Sequence, residues 1–254
     1  MLFRSPAARA LLEGLRGFVT TVGFDPARAS GTVTVAANDL QRELLMPALL
    51  DRLRAEAPGL TLRIIPSGVP GADMLRDGRC QLVLSPRPPE AGDVMHKRLF
   101  EDRYGVYFDP ARRQAPSTRA EYQACEHVTV VYESGRQLEA DRLLADQGIT
   151  RQIVATVPGL AALAGLLRGS TRVATAPRLL HGPLMHGLAL ADLPFAGPVL
   201  PMFMIWHARH QTDGLHRWLR AAVEAAASFA RQRSETGAAG TDDVAGWCRL
   251  SESN

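Results

Sequence analysis

Seven histidines, three cysteines and an Asn-Asp turn are the groups from which any chemistry in this sequence would have to be built. His207, His210 and His216 lie close together, and His181 and His186 make a second pair. Two histidines of one helix share a zinc ion when they stand four positions apart, as in H-E-x-x-H. Here His207 closes an expected strand and His216 opens an expected helix, so neither set has that geometry, and no metal is expected. Cys80, Cys125 and Cys248 are scattered, with no C-x-x-C pair, and their odd number argues against a disulfide framework. That usage fits a reducing cytoplasm. A serine hydrolase would need its nucleophile on a G-x-S-x-G elbow, which is absent. Ser85, Asp39 and His207 can be grouped as a triad, but nothing in the sequence selects them. The reading is therefore of a protein that is not an enzyme and carries no cofactor. The turn Ala37-Asn38-Asp39 also lacks the glycines of a phosphate loop. It can still hold a small polar or anionic ligand, because the first N–H groups of a helix are unpaired and carry roughly half a positive charge.

The elements around that turn alternate. Strands are expected at 32–37, 60–66, 81–85, 127–131, 153–157, 172–175 and 188–193, with helices at 39–57, 72–77, 137–147, 160–168 and 215–233. Asn38 or Asp39 caps the first long helix and Gln41 completes a capping-box pattern. Pro47 falls inside that helix, where it should cost about 3 kcal/mol or introduce a kink. The apolar stretches 94–108 and 199–207 are long enough to cross from one lobe to another. Strands separated by helices imply parallel sheets, and two such sets joined by two crossings imply two lobes with a cleft between them.

A net charge of +3 and a pI near 9.0 rest almost wholly on arginine, Lys97 being the sole lysine. The arginines are interleaved with acids, as in Asp51-Arg52-Leu53-Arg54-Ala55-Glu56, and form no stripe that would track a phosphate backbone. No window approaches the ~18 uninterrupted apolar residues of a membrane span. Arg4, Arg9, Glu13 and Arg16 interrupt the N-terminus, which reads as an amphipathic helix with Leu11, Leu12, Leu15 and Phe18 on one stripe rather than an export signal. After Arg233 the composition turns polar and small, and a disordered tail is expected at 234–254.

Several blocks, in order, resemble LysR-type transcriptional regulators in their effector-binding domain. They are residues 32–57, ending Leu-Arg-Ala-Glu-Ala-Pro-Gly; Met74-Leu-Arg-Asp-Gly-Arg-Cys-Gln-Leu-Val-Leu-Ser85; and Arg98-Leu-Phe-Glu-Asp-Arg-Tyr104. Thr156-Val-Pro158, Val173-Ala-Thr-Ala-Pro-Arg178 and Ile205-Trp-His-Ala-Arg-His210 with Trp218 follow. The Trp-His block looks most like the branch that senses nodulation flavonoids, salicylate and nitroaromatics. The resemblance covers about residues 31–230 and accounts for Pro47, since relatives carry proline in the same helix. Only residues 6–18 look like the end of the family's linker helix, and no complete winged helix-turn-helix is present. The expectation is an engineered effector domain or a natural truncation, contacting DNA only through a winged helix-turn-helix absent from this chain.

The resemblance implies an α/β fold of the periplasmic-binding-protein type 2, two Rossmann-like lobes joined by two crossover strands with the ligand cleft between them. A remnant linker helix would occupy 1–30, lobe one 31–103 plus 201–233, and lobe two 104–200. It also implies a small-molecule effector, aromatic or carboxylate, and a homodimer or higher oligomer pairing antiparallel, lobe one against lobe two. In open α/β sheets ligands lie beyond the carboxyl ends of strands. The candidate contacts are therefore Asn38, Asp39, Ser67, Gly68 and Pro86 from lobe one, and Ser134, Gly135, Arg136, Val157, Pro158 and Gly159 from lobe two. His207 is added from the return crossing. Asn38 and Asp39 also read as helix caps, the two Ser-Gly pairs as plain turns, Arg136 as a solvated surface arginine and His207 as a core histidine. Two other functions fit the same fold: a stand-alone solute-binding protein, and a truncated partner that pairs with a full-length regulator and poisons it.

Overall fold

The computed structural model describes residues 24–68, 71–132 and 139–235. The expected helix at 6–18, Ser134–Arg136, Cys248 and nearly all of the expected tail lie outside those residues. The strands are β1 (Gly31–Ala36), β2 (Leu60–Ile65), β3 (Leu82–Ser85), β4 (Val94–Phe108), β5 (Glu126–Val130), β6 (Gln152–Val157), β7 (Val173–Pro177), β8 (Ala189–Asp192) and β9 (Val199–His207). The helices are α1 (Asp39–Glu56), α2 (Ala72–Arg76), α3 (Arg119–Ala124), α4 (Glu139–Asp146), α5 (Leu163–Leu167) and α6 (Gly214–Glu235). Helix α6 runs two residues past its expected end.

The strands form one continuous ladder in the order β2-β1-β3-β9-β4-β7-β5-β6, with β8 added beside β4. Strand β4 makes the continuity. Its first part pairs antiparallel with β9, from Val94↔His207 to Arg103↔Val199, with a bulge between Arg98 and Phe100. From Tyr104 onward it changes partners to β7 on one side and β8 on the other. The chain there must be thin: a Cβ on Gly105 would lie 2.4 Å from Leu190 Cδ1 and 2.9 Å from the Ala191 carbonyl.

Alternation along the strands divides the lobe-one core into two layers. Leu82 and Leu84 of β3 and Met202, Met204 and Trp206 of β9 face α1 and α6, where Leu45, Leu49, Leu53, Leu219 and Val223 are buried. Val83 and Ile205, one residue out of phase, face Leu75 of α2 together with Ala36 and Val94. Trp218 Nε1 donates to Glu56 Oε2 at 2.8 Å and ties the ends of α1 and α6 together. A smaller core in lobe two gathers Val106, Phe108, Tyr122, Leu144, Ile149 and Val173.

Helix α1 continues through Pro47. Pro47 is exposed, on the side of the helix where a carbonyl that loses its helical partner can be hydrated. The helix expected at 160–168 is split into a 3-10 turn, Leu160–Ala162, and the short α5. Helix α3 is an element the periodicity did not announce. Gly148 and Gly169 stop their helices as expected, in left-handed conformations with φ of 70° and 71°.

Candidate functional site between the lobes

In open α/β sheets ligands bind beyond the carboxyl ends of strands, so strand direction comes first. Strands β1, β2 and β3 run parallel, and β4 runs the same way because both it and β3 are antiparallel to β9. As β4 leaves lobe one it travels in the direction of their carboxyl ends. Strand β7 is antiparallel to β4, and β5 and β6 are parallel to β7, so the carboxyl ends of lobe two point back. The two sets of carboxyl ends therefore face one another across the lobe boundary.

Asn38 and Asp39 follow β1 and stand at this boundary. Asn38 is the N-cap of α1, and its backbone N–H donates to Gln41 Oε1 at 3.0 Å. Gln41 is buried, and its Nε2 donates to Met202 Sδ at 3.1 Å, anchoring the turn to the returning strand β9. Asp39 pairs with Arg42 through Oδ1. Its Oδ2 accepts the backbone N–H of Leu160, in lobe two, at 3.0 Å. Gly159 lies against the same carboxylate, since a Cβ there would be 2.6 Å from Asp39 Oδ2. Val157, the buried last residue of β6, leads into Pro158 and Gly159. The structure thus brings Asn38, Asp39, Pro158 and Gly159 together. The Asn38 N–H and the Asp39 carboxylate are thus engaged within the protein.

Ser67, just past the end of β2, is 1% exposed, and its Oγ has no hydrogen-bond partner among the described residues. A buried hydroxyl in that state is unusual. Gly68 follows in a left-handed conformation, φ 57°. Pro86 comes directly after β3, where Ser85 Oγ accepts the Arg87 N–H at 3.2 Å. Thr129 Oγ1 donates to Asp141 Oδ2 at 2.6 Å and Arg151 pairs with Asp141 Oδ1 at 2.9 Å, which fixes α4 beneath the end of β5.

His207 is corrected by strand direction. Strand β9 is antiparallel to β3, with Ser85↔Phe203 near the cleft and Val83↔Ile205 further away. His207 lies two residues beyond Ile205, opposite Val94 at the start of β4. It belongs to the end of lobe one remote from the cleft. There its Nε2 is 3.2 Å from Asp93 Oδ2, and Asp93 also binds Arg76 through both oxygens, at 2.7 and 2.8 Å. The Arg76 contacts hold the Asp93 carboxyl down at about 2.

The residue that sequence reasoning missed is Asp102, where β4 passes between lobes. It is 6% exposed, Oδ2 accepting the Leu179 N–H at 3.1 Å and Oδ1 the Arg103 N–H at 2.7 Å. Burial pushes its carboxyl up to about 6, against the pull of those N–H groups and of Arg178. A carboxylate inside an apolar crossing strand, Leu99-Phe100-Glu101-Asp102-Arg103-Tyr104, was the available signal. The neighbouring Tyr107 hydroxyl donates to the Pro177 carbonyl at 2.8 Å, and burial raises its pKa. Asp39 and Asp102 thus reach the first N–H groups of two lobe-two turns from the other side of the boundary. Among the described residues no three His, Cys, Asp or Glu side chains come together to hold a metal ion.

Residues 26–228 match the family described as the LysR substrate binding domain. The chain belongs to that family. This LysR-type domain is 27% identical over 220 residues to the HTH-type transcriptional activator NagR of Ralstonia sp, covering 85% of this chain and 73% of the relative. It is 28% identical over 203 residues to the HTH-type transcriptional activator NahR of Pseudomonas putida, covering 78% and 67%. Nodulation protein D 1 of Sinorhizobium fredii matches at 24% over 240 residues, covering 92% and 74%. Among solved structures, a probable transcriptional regulator from Pseudomonas aeruginosa superposes with a TM-score of 0.73 at 30% identity, over 86% of this chain and 73% of that one. The regulatory domain of MexT, a transcriptional activator in the same organism, superposes with a TM-score of 0.66 at 26% identity, over 77% and 99%. The chain is a LysR-type effector-binding regulatory domain with the type 2 periplasmic-binding-like fold. Among the described residues no helix is long and apolar enough to cross a membrane.

Proposed function

We propose that this domain senses a small organic effector, aromatic or carboxylate-bearing, held between the lobes. The observation that carries the reading is the opposition of the two sets of strand carboxyl ends, the place where open α/β sheets bind ligands. Asn38, Asp39, Ser67, Gly68 and Pro86 would line it from lobe one, Val157, Pro158 and Gly159 from lobe two. Ser67 is the polar group that most wants a partner. Ser134, Gly135 and Arg136, between β5 and α4 in the sequence, are further candidates, with Arg136 the partner for a ligand carboxylate. The division into lobes falls where β4 exchanges β9 for β7, between Arg103 and Tyr104. The domain acts by binding and not by catalysis, in the cytoplasm. Effector affinity that differs between two lobe arrangements shifts their populations. In an intact regulator that shift would change how a dimer sits on DNA through its winged helix-turn-helix.

Two copies pairing antiparallel account for a second observation. Exposed apolar side chains lie on the outer strand of each half of the sheet, Ile64 on β2 and Ile153 and Val154 on β6, and Leu50 of α1 and Leu166 of α5 are exposed as well.

Thermal denaturation against a panel of aromatic and aliphatic carboxylates tests the sensor reading. A ligand at a hundred times its dissociation constant adds about 2.7 kcal/mol, a rise in Tm of about 5–10 °C for a chain of this size. Selective rises are expected, and Arg136→Ala should reduce those caused by carboxylates. A flat response across the panel overturns the small-molecule reading and leaves pairing with another regulator chain.

A further inference from the structure

We propose that Asp39 is an internal bolt: with its own carboxylate it fills the lobe-two N–H that faces the cleft and holds the effector-free domain closed. The functional consequence rests on the reading that the cleft is the effector site; the closure itself does not.

Three features of the contact point this way. Asp39 Oδ2 takes the Leu160 N–H at 3.0 Å across a sequence separation of 121 residues, from the start of α1 to the turn after β6. The other carboxylate oxygen is held by Arg42, so the side chain is oriented from its own helix, and it is only 13% exposed. The turn beneath it is fixed in turn by the Asn38–Gln41 and Gln41–Met202 contacts. The bolt is therefore mounted on the crossing strand, where motion of one lobe against the other must originate.

Gly159 supplies an independent argument. Its φ of −167° is extended backbone that any residue adopts, so glycine is not needed there for conformation. It is needed for proximity, because a Cβ would stand 2.6 Å from Asp39 Oδ2 and 3.4 Å from its Cγ. The missing side chain on lobe two is the keyhole for the carboxylate on lobe one. An effector carboxylate seeking the same N–H has to displace Asp39 and leave that side chain facing a second negative charge. A neutral effector faces no such competition. Asp39 thereby selects among effectors as well as holding the cleft shut.

The test uses the effector-free protein, reading amide hydrogen exchange together with small-angle scattering. Asp39→Ala removes the bolt, and Gly159→Ala blocks the approach while leaving the carboxylate in place. A hydrogen bond to a charged acceptor shifts such an equilibrium by about 10- to 100-fold. Both variants should speed exchange at Leu160 by that factor, raise the radius of gyration, and leave the core amides of Val35 and Leu84 protected. Unchanged Leu160 exchange in Gly159→Ala overturns the proposal. Faster exchange with no expansion also overturns it, since the contact would then be local. Loss of protection at Val35 and Leu84 in Asp39→Ala counts as unfolding, and Gly159→Ala then decides. A flat ligand panel beside a positive exchange result would remove the effector reading and leave the bolt standing; the reverse pattern would do the opposite.

Discussion

Replacing Asp102 with asparagine should change the shape of the pH–stability curve and not merely its height. The Asp102 carboxyl has an ordinary value of 3.8 and is pushed by burial to about 6. A folded-state value raised above the unfolded one means stability that is complete below pH 3.8 and is lost as pH rises through 6. The difference is about 2 units, or about 3 kcal/mol. His127 and His216 act in the opposite sense. Both are buried, His127 Nε2 donating to the Tyr122 carbonyl at 2.8 Å and His216 Nε2 to the Gln81 carbonyl at 3.0 Å. Burial lowers both from 6.5 to about 4. Their stabilisation is present above pH 6.5 and lost as pH falls through 4, about 3 kcal/mol each. Between pH 7.5 and 4 the native protein therefore loses about 6 kcal/mol at the histidines and recovers about 3 at Asp102. Asp102→Asn abolishes the recovery and gives up one of the two N–H contacts, at about 1 kcal/mol. It should be more stable than the native chain by about 2 kcal/mol at pH 7.5, fall more steeply on acidification, and end level with or below the native chain near pH 4. Arg178 and Tyr107 are the side chains acting electrostatically on Asp102, and burial keeps the Tyr107 hydroxyl neutral over this range. Urea denaturation at fixed ionic strength measures the curves, and contributions from every other group cancel in the difference between the two proteins. Parallel curves at all pH values would refute the reasoning. So would an Asp102→Asn variant several kcal/mol less stable at pH 7.5, which would make the carboxylate a favourable buried charge.

Two more expectations follow from placement. His207→Ala should leave any effector-induced rise in Tm unchanged, because His207 is at the far end of lobe one; its pair with Asp93 is partly exposed and contributes little to stability. Loss of the ligand response would overturn the strand-direction argument. Ile153→Lys, on the outer strand β6, should weaken self-association in sedimentation equilibrium by at least about tenfold, a charged group replacing an exposed apolar side chain that pairing would cover. An unchanged association constant would move the pairing surface elsewhere.

Much of the fold was legible because its signals are local. Capping at Asn38 and Gln41, the stops at Gly148 and Gly169, and the buried apolar run Leu82, Val83 and Leu84 are decided by residues one to four positions apart. Helix α3 had such a signal too. Thr118 Oγ1 accepts the Glu121 N–H at 3.2 Å and Glu121 Oε2 accepts the Ser117 N–H at 2.7 Å, a T-x-x-E start that was readable but had little apolar run behind it. Pro47 looks like a misfit in the sequence because its tolerance depends on facing solvent, which periodicity around a proline conveys poorly.

Most of the element order, the two-lobe α/β class and the family were present in the one-dimensional pattern, since each is written in short-range chemistry and in the order of blocks. The tertiary structure decided strand direction, and with it where the proposed site lies. Nothing near His207 in the sequence says that β9 returns antiparallel to β3; that follows only when Leu84, Met202, Met204 and the leucines of α1 bury one another. Nothing near Asp39 says that its carboxylate will meet a backbone N–H 121 residues away, or that Gly159 is the gap it enters. Asp102 likewise became a strained carboxylate only once the crossing strand was enclosed by both lobes. Local pattern sets which face of an element is apolar. Which faces find each other, and which polar groups are carried into the seam with them, is settled by removing all of that apolar surface from water at once.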